Sequence, residues 1–236
     1  MSDAAHDEGA GAATPGALAL VGDGAWTEGC AFDAELLAAS GGTTVTVLPT
    51  AAAYERPELA TEQAAAHFAR FGGTVEVVDV LDRRGAHVDA NVERVRAARF
   101  LYLASGSAMH LLSVLKQTPL WEAIVAAHRG GAVLAAAGPS ATVLCDAMVD
   151  PRGGGFGVGL GLVRSLSLIP RYDQWSTEKS RRTIQMAPKG LVLAGIPSTS
   201  ALIRRAGGHW EPVGAEGLRL FRDGQPVGFE VLAELG

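Results

Sequence analysis

The feature that most constrains this chain is a fully apolar run, Ala132 to Ala137 (AVLAAA), that passes directly into Gly138-Pro139-Ser140-Ala141. A run this short and this apolar, ended by Gly-Pro, reads as a strand buried on both faces, and the residues after it, Thr142 to Met148, read as a helix. A strand, a sharp turn and a helix push the residue at the junction off the end of the sheet, with helix N-terminal amides beside it. Ser140 is the candidate for that position. Two roles are open to it on local grounds. It can be a nucleophile with its hydroxyl exposed and an oxyanion site nearby, or a helix N-cap whose oxygen accepts a backbone N–H.

The order of elements on either side sets the fold class. Strands are expected at 17–21, 44–48, 74–80 and 100–103, alternating with helices at 32–40, 57–71, 90–98, 107–117 and 119–128. Pro57 and Gly72-Gly73 frame the second helix as N1 and exit residues. Such alternation implies a mostly parallel central sheet flanked by helices, an α/β architecture of flavodoxin-like type. From about Ser165 short strands dominate, at 165–169, 191–195, 201–204, 210–213 and 218–221, with one helix at 177–186. There is no internal repeat. We expect a loose tail over 1–16 and one α/β domain over 17–236.

Composition excludes several classes. Of 236 residues, 48% are hydrophobic and 19% charged, enough to fill a sizeable core. The net charge is −5, and the Arg pairs 83–84, 181–182 and 204–205 are short, so nucleic acid is not an expected partner. No stretch approaches the ~20 apolar residues that span a bilayer, so no membrane association is expected. Met1 to Gly16 has no basic segment or apolar run of a targeting signal, and Cys30 and Cys145 lack paired spacing. Both point to the cytoplasm. Asp146, Asp150 and Asp173 lack metal-ligand spacing, Gly22-Asp23-Gly24 lacks a dinucleotide fingerprint, and no cofactor or metal is implied.

The long-range order of motifs adds a resemblance. Ala104-Ser105-Gly106-Ser107-Ala108-Met109-His110-Leu111, then Ala137-Gly138-Pro139-Ser140-Ala141-Thr142-Val143, then Met148 to Gly155 and the Gly159-Leu160-Gly161-Leu162 turn resemble the dipeptidase E/cyanophycinase family of serine peptidases, which has a class I glutamine-amidotransferase-like fold. The resemblance implies a nucleophile elbow at Ser140 and an oxyanion or substrate-binding region at Gly106, Ser107 and Ala141. It also exposes departures. The family's base histidine lies in a segment like I-P-H-Y-D-x-W; here Ile169-Pro170-Arg171-Tyr172-Asp173-Gln174-Trp175 carries Arg171, which has no lone pair to offer. The family's acid lies in a G-I-D-E-x-T-A-L segment; here Pro197 and Ser198 take its place. A Gly-Gly pair has become Ser105-Gly106, and the glycine after Ser-Ala has become Thr142, whose β-branch crowds a pocket.

Three readings follow. The first is a catalytically impaired peptidase homologue, a pseudoenzyme whose cleft binds a peptide or an amino-acid derivative. The second is a serine hydrolase or acyl transferase rebuilt around Ser140, with His110 as an alternative base. The third is a non-catalytic structural or interaction protein. His67, His87 and His128 carry no motif and are expected to be packed or solvated, and Cys145 is expected to be a small buried hydrophobe. A homodimer is compatible with all three.

Overall fold

The computed structural model describes residues 14–235; most of the expected 1–16 tail lies outside them. Seven strands form the main sheet in the order β11-β10-β1-β5-β4-β2-β3. Its parallel part consists of β1 (Leu18–Val21), β5 (Val133–Ala137), β4 (Phe100–Leu103), β2 (Thr44–Leu48) and β3 (Thr74–Val77). Two antiparallel strands, β10 (Ser200–Arg204) and β11 (Trp210–Gly214), extend it beyond β1. The α/β class with a mostly parallel central sheet is therefore the observed architecture.

Alternation along the strands divides the core into two layers. Leu18, Leu20, Leu101, Leu103 and Leu134 face one side, where α3 (Asp89–Ala97), α4 (Ala108–Leu115) and α5 (Pro119–Arg129) bring Val92, Val95, Leu111, Leu115, Leu120 and Ile124. Ala19, Val21, Val45, Val47, Phe100 and Tyr102 face the other side, against Leu36 and Leu37 of α1 (Asp33–Ala39) and Phe68 of α2 (Pro57–Ala69). Within that second layer His67 is not a solvated residue: its Nε2 lies 2.9 Å from Asp33 Oδ2, with both side chains buried.

A second sheet, β13-β12-β9-β8, is built from β8 (Leu166–Pro170), β9 (Val192–Ile196), β12 (Arg219–Arg222) and β13 (Gln225–Val227). Leu166, Leu168, Val192, Ala194 and Leu220 join it to the first core layer. One expected element differs. The helix after the Gly-Pro turn, α6, covers Pro139–Val143, and the chain then returns as β6 (Ala147–Val149), paired with β7 (Phe156–Val158). The β-branched pair Thr142-Val143 and the Leu160 amide bonded to the Val143 carbonyl mark the end of that helix.

Candidate functional site

The site is built around the turn that ends β5. Gly138 has φ 56° and ψ −131°, a conformation that essentially only glycine adopts. Pro139 follows at the first helical position, where its fixed φ suits the helix and its missing N–H costs nothing. Gly138 is thus the turn residue, and Ser140 stands two residues further on, inside the first turn of α6. Its expected exposure is corrected accordingly: Ser140 is fully buried, and its hydroxyl donates to the Ala104 carbonyl at 2.5 Å, tying α6 to the end of β4. The Ala141 amide donates back to the Gly138 carbonyl at 3.0 Å, and the Thr142 hydroxyl to the Pro139 carbonyl at 2.8 Å.

The chain after β4 shapes the neighbouring wall. A Cβ on Gly106 would run into the Ala51 carbonyl, so the close approach requires glycine. The Ser107 amide donates to that carbonyl at 2.8 Å, and the Ser107 hydroxyl caps α4 by accepting from the His110 amide at 3.3 Å. The ring of His110 turns elsewhere. Its Nε2 donates to the Leu81 carbonyl at 2.8 Å, and the ring packs in a T-shaped pair with Tyr54, centroids 4.9 Å apart.

Arg171 follows β8 in a left-handed conformation, φ 52° and ψ 43°, with its amide donating to the Gly22 carbonyl at 3.0 Å. That hooks the loop onto the end of β1 and sets the Arg171 Nε 3.2 Å from Asp23 Oδ2. Ser198 joins a different cluster. Its amide and hydroxyl both donate to Asp173 Oδ1, at 2.8 and 3.2 Å, and its oxygen accepts from the Gln174 amide group at 3.0 Å. The structure therefore brings Arg171 and Asp23 together and leaves Ser140, His110 and Ser198 each with separate partners. Asp23 and Ser105, which the sequence shows only as part of a glycine-rich turn and as a departure from a Gly-Gly pair, were given no site role there. Where a Cβ on Gly138 would stand, Ser105 Oγ is 2.6 Å and Asp23 Oδ1 2.9 Å away, so both side chains crowd the turn. The one sequence signal was Pro139: its preference for the first helical position already places the turn at Gly138.

Two cavities open beside this cluster. The first, about 450 Å³, is lined by Gly106, Ser107, Met109 and Pro139 together with Glu55, Asp150, Arg152, Arg171 and Lys179. The second, about 290 Å³, is lined by Asp23, Trp26, Thr27, Glu55 and Ser105 among others. The Arg152 guanidinium bonds both oxygens of Asp150, at 3.1 and 2.9 Å, and holds that carboxyl below its usual range. Burial lowers the Lys179 ammonium from its ordinary value; it sits 3.7 Å over the Trp175 ring and donates to the Pro151 carbonyl. Among the described residues no group of three or more His, Cys, Asp or Glu side chains is placed to hold a metal ion, and no helix is long and apolar enough to cross a membrane.

Comparison with known proteins bears on this geometry. No curated protein sequence matches the chain significantly. A solved peptidase from an acI-B1 Actinobacterium superimposes with a TM-score of 0.80 at 25% identity, covering 92% of this chain and 98% of that one. A candidate peptidase E protein from Listeria monocytogenes EGD-e shares the fold, with a TM-score of 0.59 at 17% identity over 88% of this chain and 98% of that one. The profile of peptidase family S51 matches residues 30–203, more than half of the chain, and with the elbow-like turn in place this chain belongs to peptidase family S51.

Proposed function

We propose that this family S51 member no longer cuts peptides by a serine triad and uses its cleft to bind a peptide or an amino-acid derivative. The observation that carries the reading is the chemistry of the turn itself. The turn residue Gly138 has no hydroxyl, and Pro139, whose amide would follow a nucleophile and face an oxyanion, has no N–H. Ser140 supplies a hydroxyl nearby, but it is buried and its proton is committed to a carbonyl that cannot act as a base. Arg171, in the segment that resembles the family's base, is a permanent cation paired with Asp23. Loss of a triad member alone costs on the order of 10⁴ or more in rate.

Both thiols, Cys30 and Cys145, are free and buried, and burial pushes them up to about 11 and about 12. Unreactive unpaired thiols fit a reducing compartment such as the cytoplasm.

The test is an assay of the purified protein with short Asp- and Arg-containing peptides, run beside labelling by a fluorophosphonate probe. We expect neither hydrolysis nor labelling. Cleavage that disappears in Ser140→Ala, or labelling that needs both Ser140 and His110, would overturn the reading in favour of a rebuilt hydrolase.

A further inference from the structure

We infer that the Asp23–Arg171 pair is the receptor for the zwitterionic head group of a free α-amino acid, with the ligand's side chain lying in the larger cavity. The inference rests on the proposal that the cleft binds rather than cuts, and it narrows the ligand class. Arg171 lines the larger cavity and Asp23 the smaller one, so the ion pair stands on the boundary between them. Glu55 lines both cavities.

The exchange is chemically matched. An α-amino acid carries its carboxylate and its ammonium on one carbon, the spacing that fits two protein groups already in contact at 3.2 Å. The guanidinium fork offers parallel donors to the carboxylate. Asp23 Oδ1 and Ser105 Oγ, which crowd the same point beside Gly138, offer two acceptors for the three donors of an ammonium, and Glu55 a third. The Arg171 side chain is 44% exposed and Asp23 17%. Water reaches the pair from the Arg171 side, which weakens the hold between the two charges, and a ligand that satisfies both halves can replace their contact. A peptide lacks this match, because its first α-carbon bears a neutral carbonyl.

Backbone conformation supports the same place. Six described non-glycine residues have positive φ; Arg171 of the pair is one, and Trp26, Arg56 and Thr199 are three more on the Asp23 side. Trp26 and Arg56 line the smaller cavity, and the Thr199 amide donates to the Asp23 carbonyl at 2.8 Å. Left-handed backbone at non-glycine residues persists where the surroundings hold it, and it gathers at ligand sites.

The experiment is isothermal titration calorimetry of the full chain with L-alanine, L-glutamate and L-lysine at millimolar concentration. Blocked controls are N-acetyl-L-alanine and L-alanine amide for L-alanine, with the same two derivatives of whichever other acid binds. At least one free amino acid should bind. Blocking either head-group charge should weaken it about tenfold or more, and so should Asp23→Asn and Arg171→Gln, each of which removes one charge-assisted contact. Arg171→Lys keeps the charge but loses the fork, and should also weaken binding while the melting temperature stays near wild type. The inference is overturned if none of the three binds, if blocked forms bind as well as free ones, or if well-folded variants bind like wild type. L-alanyl-L-alanine separates the two levels. Binding of the dipeptide without binding of any amino acid rejects the head-group receptor and leaves the non-cutting peptide cleft standing. Release of alanine from it rejects the non-cutting reading, while the amino-acid titrations still decide the receptor.

Discussion

At the scale of single residues, Gly138 carries more of the site than Ser140 does. Its φ of 56° with ψ of −131° lies where a Cβ is strained, and any Cβ there meets Ser105 Oγ and Asp23 Oδ1 inside 3 Å. Replacing it by alanine should cost about 1–3 kcal/mol from backbone strain, and should also displace Asp23 from Arg171. Urea unfolding of Gly138→Ala checks the first effect; an unchanged midpoint would contradict the assigned geometry. The sequence motif G-x-S-A drew attention to the serine because serine is the residue type that does chemistry. Turn position, however, is decided by which residue tolerates the backbone and which residue opens the helix. Gly138 and Pro139 settle both. A two-residue displacement along a helix is enough to take a hydroxyl from the mouth of a cleft to a fully buried contact with Ala104.

Among the elements, α7 (Thr177–Met186) shows how the cleft wall is held. Three of its side chains donate to carbonyls of the loop between β6 and β7: Lys179 to Pro151, Arg182 to Gly153 at 2.8 Å and Thr183 to Gly154 at 2.8 Å. Thr183 is fully buried, so Thr183→Val leaves the Gly154 carbonyl without that donor, at a cost of about 1–3 kcal/mol. Trypsin should then cut faster after Arg152, which lies in the same loop. Mapping early fragments by mass tests this, and an unchanged rate at Arg152 would show that the three contacts do not restrain the loop. The helix itself was legible to the residue from its sequence, as were β2 and β4, because polar-face spacing, the β-branched run of β2 and the short aromatic-rich apolar run of β4 act locally. The strands β6 and β7 were not, since three-residue strands carry no period, and α6 was overextended because Leu144 and Cys145 are as apolar in a buried bend as in a helix. The Asp23–Arg171 pair was illegible for another reason. Its members are separated by most of the chain and meet only because β1 and the loop after β8 end at the same edge of the molecule.

The molecule as a whole depends on the packing of its helices onto the central sheet, and His128 links three parts of that assembly. It is buried at the end of α5, with Nδ1 3.1 Å from the Ala132 carbonyl just before β5 and Nε2 3.2 Å from Arg204 Nη2 on β10. A carbonyl only accepts, so Nδ1 carries the proton and Nε2 accepts from the guanidinium: the ring is neutral, with both nitrogens in use. Burial pulls its pKa below the ordinary 6.5, and the Arg204 charge acts in the same direction. The sign follows from proton counting. As pH falls below 6.5 the unfolded chain takes up a proton at this residue before the folded one does, so the contribution to stability is present above that pH and is lost between it and the lowered native value. Other groups titrate in the same interval, which makes the useful quantity a difference. The loss of unfolding free energy between pH 7 and pH 5 should be smaller in His128→Gln, which keeps a donor for Ala132 but cannot titrate, than in wild type. Urea melts of both proteins at the two pH values measure it, and equal losses would mean that His128 titrates alike in the folded and unfolded chain, with no lowering by its surroundings.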